Sequence, residues 1–338
     1  MIKLTYIVCV YNSASTIIRT LKSIYRQPLS EEEFEVIVVD DCSPDNSSEL
    51  VSSFALGHTN LQLVRQKQNH RVGTSMNLGI RMAKGEYIQV VDGDDIVGDE
   101  IVKTLNQCME DKVDVSINTS QYEDSKGIMH PMIVETTLTF PMSANDFCEK
   151  VFNYDPIFGG TQFYMWSRDF LKKENHPFVE DLKMEDTDWI EYHLYKAKTI
   201  GRSRFLTYTY LYNENSQVHL MSATTTSDMI LQCYRRLEGC KVYKDSLTNY
   251  VNVISCSCHS RVANALRYRY LSNFSYKDYV VMYERIGDLA RNKLSVNSYH
   301  FWANMFLRHK YITLILLWCT VWMAHVGRYV VRFIRNLI

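Results

Sequence analysis

The chain reads as an α/β protein, a mostly parallel sheet covered by helices on both faces, followed by a helical C-terminal appendage. Short apolar runs alternate with amphipathic helical patterns through the first 118 residues, and that alternation predicts a parallel sheet. One run, Phe34 to Val39, is almost unbroken β-branched sequence, as suits a strand buried on both faces. The runs end in polar or acidic residues, at the strand ends where such sheets gather their ligands.

The elements follow in order. Leu4 to Val10 is the first strand. Ile17, Ile18, Leu21, Ile24 and Tyr25 then share one helical face, with Ser13 or Ser15 as the expected N-cap. Phe34 to Val39 runs into Asp40-Asp41-Cys42-Ser43, and Pro44 suits the first position of a helix capped by Ser43. Leu61 to Val64 is a third strand, Val72 to Ala83 a third helix and Tyr87 to Val91 a fourth strand. Ile101, Val102, Leu105, Cys108 and Met109 mark another helix, and Val113 to Ile117 a further strand. Tyr11, Asp41 and Asp92 to Asp95 all lie at strand ends and are expected to converge.

The run Tyr87 to Val91 breaks into Asp92-Gly93-Asp94-Asp95. Crowded carboxylates repel unless a cation sits among them. Hard divalent ions bound by carboxylate oxygens commonly do this and hold substrate phosphates as well. A plain polar turn would also use Asp and Gly. The surrounding blocks decide against it.

Those blocks are Ile7-Val8-Cys9-Val10-Tyr11-Asn12, Val36 to Asp45, Asn69 to Gly79, and Gly85-Glu86-Tyr87-Ile88 leading into the acidic turn. In this order and spacing they resemble the nucleotide-sugar domain of GT-A glycosyltransferases, in particular the inverting group called family 2. Two positions depart from the usual pattern: Cys42 replaces a glycine, and Met76 stands where an arginine often precedes the asparagine. Arg71 is therefore the nearest candidate cation for the donor.

The resemblance implies roles for single residues. Val10 and Tyr11 would line the nucleotide site, with Tyr11 stacking on the base, and Asp41 would accept from base or ribose. Asp40 would stabilise its loop. Asp92 and Asp94 match the D-x-D, Asp94 as direct metal ligand and Asp92 holding ribose or metal, with Mn²⁺ or Mg²⁺ as the ion. Asp95 is a neighbour equally explained as a helix-start charge. Asn77 and Gly79 would serve packing. No G-x-G-x-x-G or Walker sequence is present, so metal rather than a glycine-rich cradle is expected to hold the diphosphate.

The second half supplies a base. In Phe178 to Ile190, Glu185-Asp186 precedes Trp189 at the start of a helical pattern that includes His193, Leu194 and Ala197. An inverting transfer needs a carboxylate to take the acceptor hydroxyl's proton. The family pattern assigns that to Asp186, with Glu185 beside it; Glu180-Asp181 is the nearest decoy. Acids also favour any first helical turn. Trp166 matches a family tryptophan that often shapes the sugar pocket, although a core role explains it equally well. His219 lies where some relatives complete the metal or diphosphate site.

Composition agrees with a folded enzyme, and the net charge of -1 argues against a nucleic-acid partner. Nine scattered cysteines suit a reducing, cytoplasmic setting, and Cys256-Ser-Cys258-His259 lacks zinc-site spacing. Lys3-Leu4 leads straight into the first strand, so no signal peptide is expected. Beyond Asp288 there is no acid, and arginines flank the apolar run Tyr311 to Ala324. That run is shorter than the roughly 20 residues of a spanning helix, so the tail is expected to lie in the inner membrane interface as a peripheral contact. Packing on the core is its rival.

Three regions are therefore expected: a nucleotide-sugar half (1–118), an acceptor half with the base (119–227) and a helical region (228–338). The expected activity is metal-dependent inverting transfer from a nucleotide diphosphate sugar, UDP-linked by the family's habit. The acceptor would be a saccharide or lipid-linked saccharide of surface polysaccharide synthesis. A sugar nucleotidyltransferase would want a glycine-rich basic loop after the first strand, where Tyr11-Asn12-Ser13-Ala14 stands. A non-catalytic carbohydrate-binding protein would have no reason to keep acids at 92, 94 and 186.

Overall fold

The computed structural model describes residues 1–132, 139–150, 160–180, 182, 186–214 and 228. The chain divides into two compact units, Met1–Glu214 and Asn215–Ile338, and the sheet belongs to the first.

Its strands are β1 (Leu4–Val10), β2 (Phe34–Asp40), β3 (Leu61–Arg65), β4 (Tyr87–Asp92), β5 (Ile96–Val97), β6 (Val115–Glu123), β7 (Met129–Met132), β8 (Tyr164–Ser167) and β9 (Ile200–Tyr210). The helices are α1 (Ile17–Tyr25), α2 (Ser47–Ala55), α3 (Arg71–Met82), α4 (Ile101–Asp111), α5 (Ala144–Lys150), α6 (Arg168–Glu174) and α7 (Asp186–Lys196). The described strands form one sheet in the order β3-β2-β1-β4-β8-β6-β9-β5, with β7 beside β6.

The first four strands in that order pair in parallel, as expected of strands separated by helices. β1 is buried at all seven positions, which is why its sequence is apolar rather than alternating. β3, at the edge, alternates partly covered Leu61 and Leu63 with exposed Gln62 and Arg65. β8 is antiparallel to both β4 and β6, so β6 and its parallel partner β9 run in the direction of β4. The ends of β1, β2, β4, β6 and β9 thus share one edge of the sheet.

Most expected elements appear within two residues of their predicted bounds, and three local expectations need correction. Helix α1 starts at Ile17 without a side-chain cap; the Ser13 carbonyl, not its hydroxyl, accepts the Thr16 and Ile17 amides at 3.0 and 2.9 Å. Helix α2 starts at Ser47 rather than Pro44, because residues 43–48 are used to satisfy two carboxylates. Asp40 is buried and takes the Ser43 amide at 3.0 Å, both the Ser43 and Ser48 hydroxyls, and Arg65 Nε at 3.4 Å. Asp45 takes the Ala14 amide at 2.9 Å and the Ser47 amide at 3.1 Å, tying the loop after β1 to the loop after β2. Strand β6 begins at Val115, not Val113, and runs on to Glu123. Asp114 instead accepts the Lys198 amide at 2.6 Å and so sets the start of β9.

Core packing explains the small and polar residues of α3. A Cβ on Gly79 would lie 2.4 Å from Ile7 Cγ2 on β1, so only glycine lets α3 approach the sheet this closely. Asn77 closes a two-way bridge with Phe178, giving to its carbonyl at 3.0 Å and accepting from its amide at 2.8 Å. Cys9, Cys42 and Cys108 form no disulfide. Among the described residues no helix is long and apolar enough to cross a membrane. The tail reading of residues 311–338 lies outside the described residues.

Candidate active site at the strand ends

The first wall of the site is built by the ends of β1 and β2. Val10 is buried and its carbonyl accepts the Asp41 amide at 2.9 Å, which locks the two ends together. The chain then turns through Asn12 at φ 54° and leaves Tyr11 53% exposed, an uncommon position for a large ring. Asp41 is buried, and its Oδ1 accepts Gln66 Nε2 at 2.9 Å and the His70 amide at 2.7 Å. Burial raises its pKa above the ordinary carboxylate value despite these donors. Arg71, at the start of α3, has φ 69° and is half-buried beside the same carboxylate. Val10, Asp41 and Arg71 therefore lie together at one strand edge, with Tyr11 next to Val10 in the chain.

The acidic turn follows β4 on that edge and is gripped from two sides. Helix α1 holds its carbonyls. Thr16 Oγ1 donates to Gly93 O at 2.9 Å, Arg19 to Asp94 O at 2.7 Å, and Thr20 Oγ1 to Asp95 O at 2.8 Å. Spacings of three and four residues put these donors on one helix face. The other grip comes from β9 and the residues after it. Tyr208 donates to Asp95 Oδ2 at 2.7 Å, the Leu211 amide to Asp95 Oδ1 at 2.9 Å, and Asn213 Nδ2 to Asp94 Oδ2 at 2.7 Å. Asp95 is fully buried and spent on these contacts, so it is an anchor of the turn and not a helix-start charge. Gly93 is tight: a Cβ there would sit 3.0 Å from Cys9 O and 3.1 Å from Ser13 Oγ.

Asp92 carries the electrostatic signature of the site. Burial, then the charge of Asp94, then that of Asp186, push its pKa up to about 7. Asp186 is the first residue of α7, far away in sequence, and its charge still contributes to the rise of Asp92. The register of the sheet accounts for this. Trp166 pairs with Ile88, and Trp166 also packs edge-on against Trp189 of α7 at 5.0 Å between ring centres. Trp189 stacks in turn on Phe178 at 4.3 Å. The helix is thus seated by its aromatic side.

Trp166 itself is fully enclosed, among Tyr164, Trp189 and His193. The structure makes it part of the core rather than a wall of a sugar pocket, because no surface of the ring is left for a ligand. His193, buried in the same cluster, has its pKa pushed down to about 3 by burial, and its Nδ1 lies 2.8 Å from the Trp189 carbonyl. Glu180 is exposed, while Glu185, Asp181 and His219 lie outside the described residues. The sequence reading missed Tyr208, Leu211, Asn213 and the polar face of α1. Only Thr16, Arg19 and Thr20, spaced along one helix face, left a signal that could have been read.

A divalent cation fits what is present. Among the described residues no lysine or arginine side chain pairs with the Asp92 or Asp94 carboxylates, and burial, with the charges of Asp94 and Asp186 added, raises Asp92. Among the described residues no three His, Cys, Asp or Glu side chains close on a single point. Two carboxylates suffice for an ion such as Mg²⁺, which takes its other oxygens from substrate phosphates and water.

Comparison with known proteins gives the family. The family model described as "Glycosyl transferase family 2" matches residues 5–173. Glycosyltransferase GlyG of Streptococcus pneumoniae is 30% identical over 182 residues, 51% of this chain and 57% of that protein. A poly(ribitol-phosphate) beta-glucosyltransferase of Bacillus spizizenii is 27% identical over 218 residues, 64% of this chain and 33% of that protein. The chain therefore spans 57% of the length of the first and a third of the second. In fold, it is similar to residues 1–349 of TarS from S. aureus in complex with UDP-GlcNAc. The TM-score is 0.61 at 20% identity, covering 96% of this chain and 92% of that one. A mannosyltransferase from Pyrobaculum calidifontis in complex with GDP-Man and Mn²⁺ matches with a TM-score of 0.53 at 18% identity, over 95% and 87% of the two chains.

Proposed function

This chain belongs to glycosyl transferase family 2, and from that premise we propose that it transfers a sugar, with inversion, from a nucleotide diphosphate sugar to an acceptor hydroxyl. The observation that carries the reading is Asp92, pushed up to about 7 by its burial and then by the charges of Asp94 and Asp186. Structural ion networks also perturb carboxylates, but here the carboxylates of Asp92 and Asp94 have no cationic side-chain partner among the described residues.

In this reading Tyr11 and Asp41 receive the nucleoside, with Val10 and Arg71 beside them. Asp94 and Asp92 hold Mn²⁺ or Mg²⁺, which offsets charge on the departing diphosphate. Asp186 takes the proton of the acceptor hydroxyl as its oxygen bonds to the anomeric carbon. The bond from that carbon to the diphosphate breaks, and the electron pair leaves with the diphosphate. Glu185 precedes the base in the sequence, and by the family pattern His219 would complete the metal or diphosphate site.

UDP is the preferred carrier, supported by the UDP-GlcNAc complex of the TarS structure. The acceptor class is a surface polysaccharide or its lipid-linked precursor, supported by relatives named for poly(ribitol phosphate) and succinoglycan. The chemistry is tested by incubating the protein with Mn²⁺ and a panel of UDP-, GDP- and dTDP-sugars. Release of nucleotide diphosphate from one donor, increased by a saccharide acceptor, supports the reading. No release from any donor, with correctly folded protein, opposes it.

A further inference from the structure

Asn213 lies three residues beyond the end of β9, and its Nδ2 donates to Asp94 Oδ2 at 2.7 Å. The backbone leading to it is pinned. The Leu211 amide is held by Asp95 at 2.9 Å, and the Tyr212 amide by Glu123 Oε2 at 3.3 Å. The amide of Asn213 is thereby delivered to one oxygen of the carboxylate that the site offers to a cation.

We propose that Asn213 is a two-state partner of Asp94, giving its N–H to the carboxylate in the metal-free protein and its carbonyl oxygen to the divalent cation in the loaded one. This rests on the metal-dependent reading of the same site. The two ends of a carboxamide are nearly alike in shape, and a half-turn about the last side-chain bond exchanges donor for acceptor. An amide oxygen is a hard, neutral ligand of the kind these ions accept. In the first state the N–H offsets part of a charge that, among the described residues, lacks a cationic side-chain partner. In the second the cation supplies that offset, and an N–H facing it would be repelled. The exchange makes the site tolerable without metal and adds a ligand when metal arrives.

The test is Mn²⁺ binding, measured by the loss of the free-ion electron paramagnetic resonance signal, with and without UDP and with no sugar transfer involved. Asn213→Ala and Asn213→Leu remove both ends of the amide, and thermal melting confirms that each folds. They should weaken Mn²⁺ binding by about tenfold. Asn213→Asp keeps an oxygen but cannot donate, so it should bind Mn²⁺ within about threefold of the parent or more tightly. Parent-like binding by the alanine and leucine variants would overturn the proposal, and so would loss of binding in Asn213→Asp equal to theirs. A parent protein that binds no Mn²⁺ under either condition would remove the metal reading itself, and this proposal with it.

Discussion

The Tyr208 hydroxyl and the Asp95 carboxylate lie 2.7 Å apart, both buried, and the same hydroxyl accepts the Asp92 amide at 3.1 Å. One phenol therefore ties both ends of the acidic turn to β9. Tyr208→Phe keeps the ring and removes this link, leaving a buried acceptor and a backbone donor without it. The expected cost is about 1–3 kcal/mol of stability. Denaturant unfolding checks it, and an unchanged midpoint would show that the link is idle.

The burial of Asp92, with acids beside it, gives a pH dependence of definite sign. Its pKa is pushed up to about 7 in the folded protein, above the roughly 3.9 of an unfolded chain. Between these values the folded state binds more protons, so this group's contribution falls as pH rises from about 4 to about 7. Mn²⁺ needs ionised ligands, so its stabilising effect should grow across the same window. Melting curves at pH 5 and pH 8, with and without Mn²⁺, should show the larger Mn²⁺-induced shift at pH 8. An equal shift at both would contradict the assignment.

Asp94→Asn keeps shape but removes the charge offered to the cation. Turnover should be abolished while the melting temperature stays near that of the parent, and a chelator should silence the parent reversibly. Full activity in excess chelator would end the metal-dependent account.

Much of the fold was legible in the sequence, and so was the acidic turn at a strand end, for physical reasons. Strands β1, β2 and β4 are buried on both faces, so their apolar runs stand out, and Asp92 and Asp94 sit where such a run stops. The mixed half of the sheet was harder. β9 reads Ile-Gly-Arg-Ser-Arg-Phe-Leu-Thr-Tyr-Thr-Tyr, because its outer positions are partly exposed and its inner ones hold polar anchors such as Thr207 and Tyr208. Its contacts to the turn span more than a hundred residues, and no local pattern encodes them. Trp166 shows the opposite limit: the motif is legible, but whether a tryptophan faces ligand or core depends on the helix packed against it.

The basic C-terminal tail carries a separate expectation. The intact protein should sediment with anionic liposomes and be released by high salt, because screening weakens headgroup attraction. A form ending at Phe306 should stay soluble and still hydrolyse donor. An intact protein indifferent to liposomes, together with an unfolded truncated form, would assign the tail to packing instead.

The central claim is that Asp186 is the base of a site whose cation is held by Asp92 and Asp94, and Asp186→Asn tests it most directly. The kcat for transfer and the Kd for donor, both measured with Mn²⁺ at pH 7.5, separate proton removal from binding. The expected result is a fall in kcat of about 10²–10⁴-fold, with donor Kd close to that of the parent, since a base acts chiefly in the transition state. A preserved kcat with a collapsed donor affinity would contradict it and place Asp186 among the donor-binding residues.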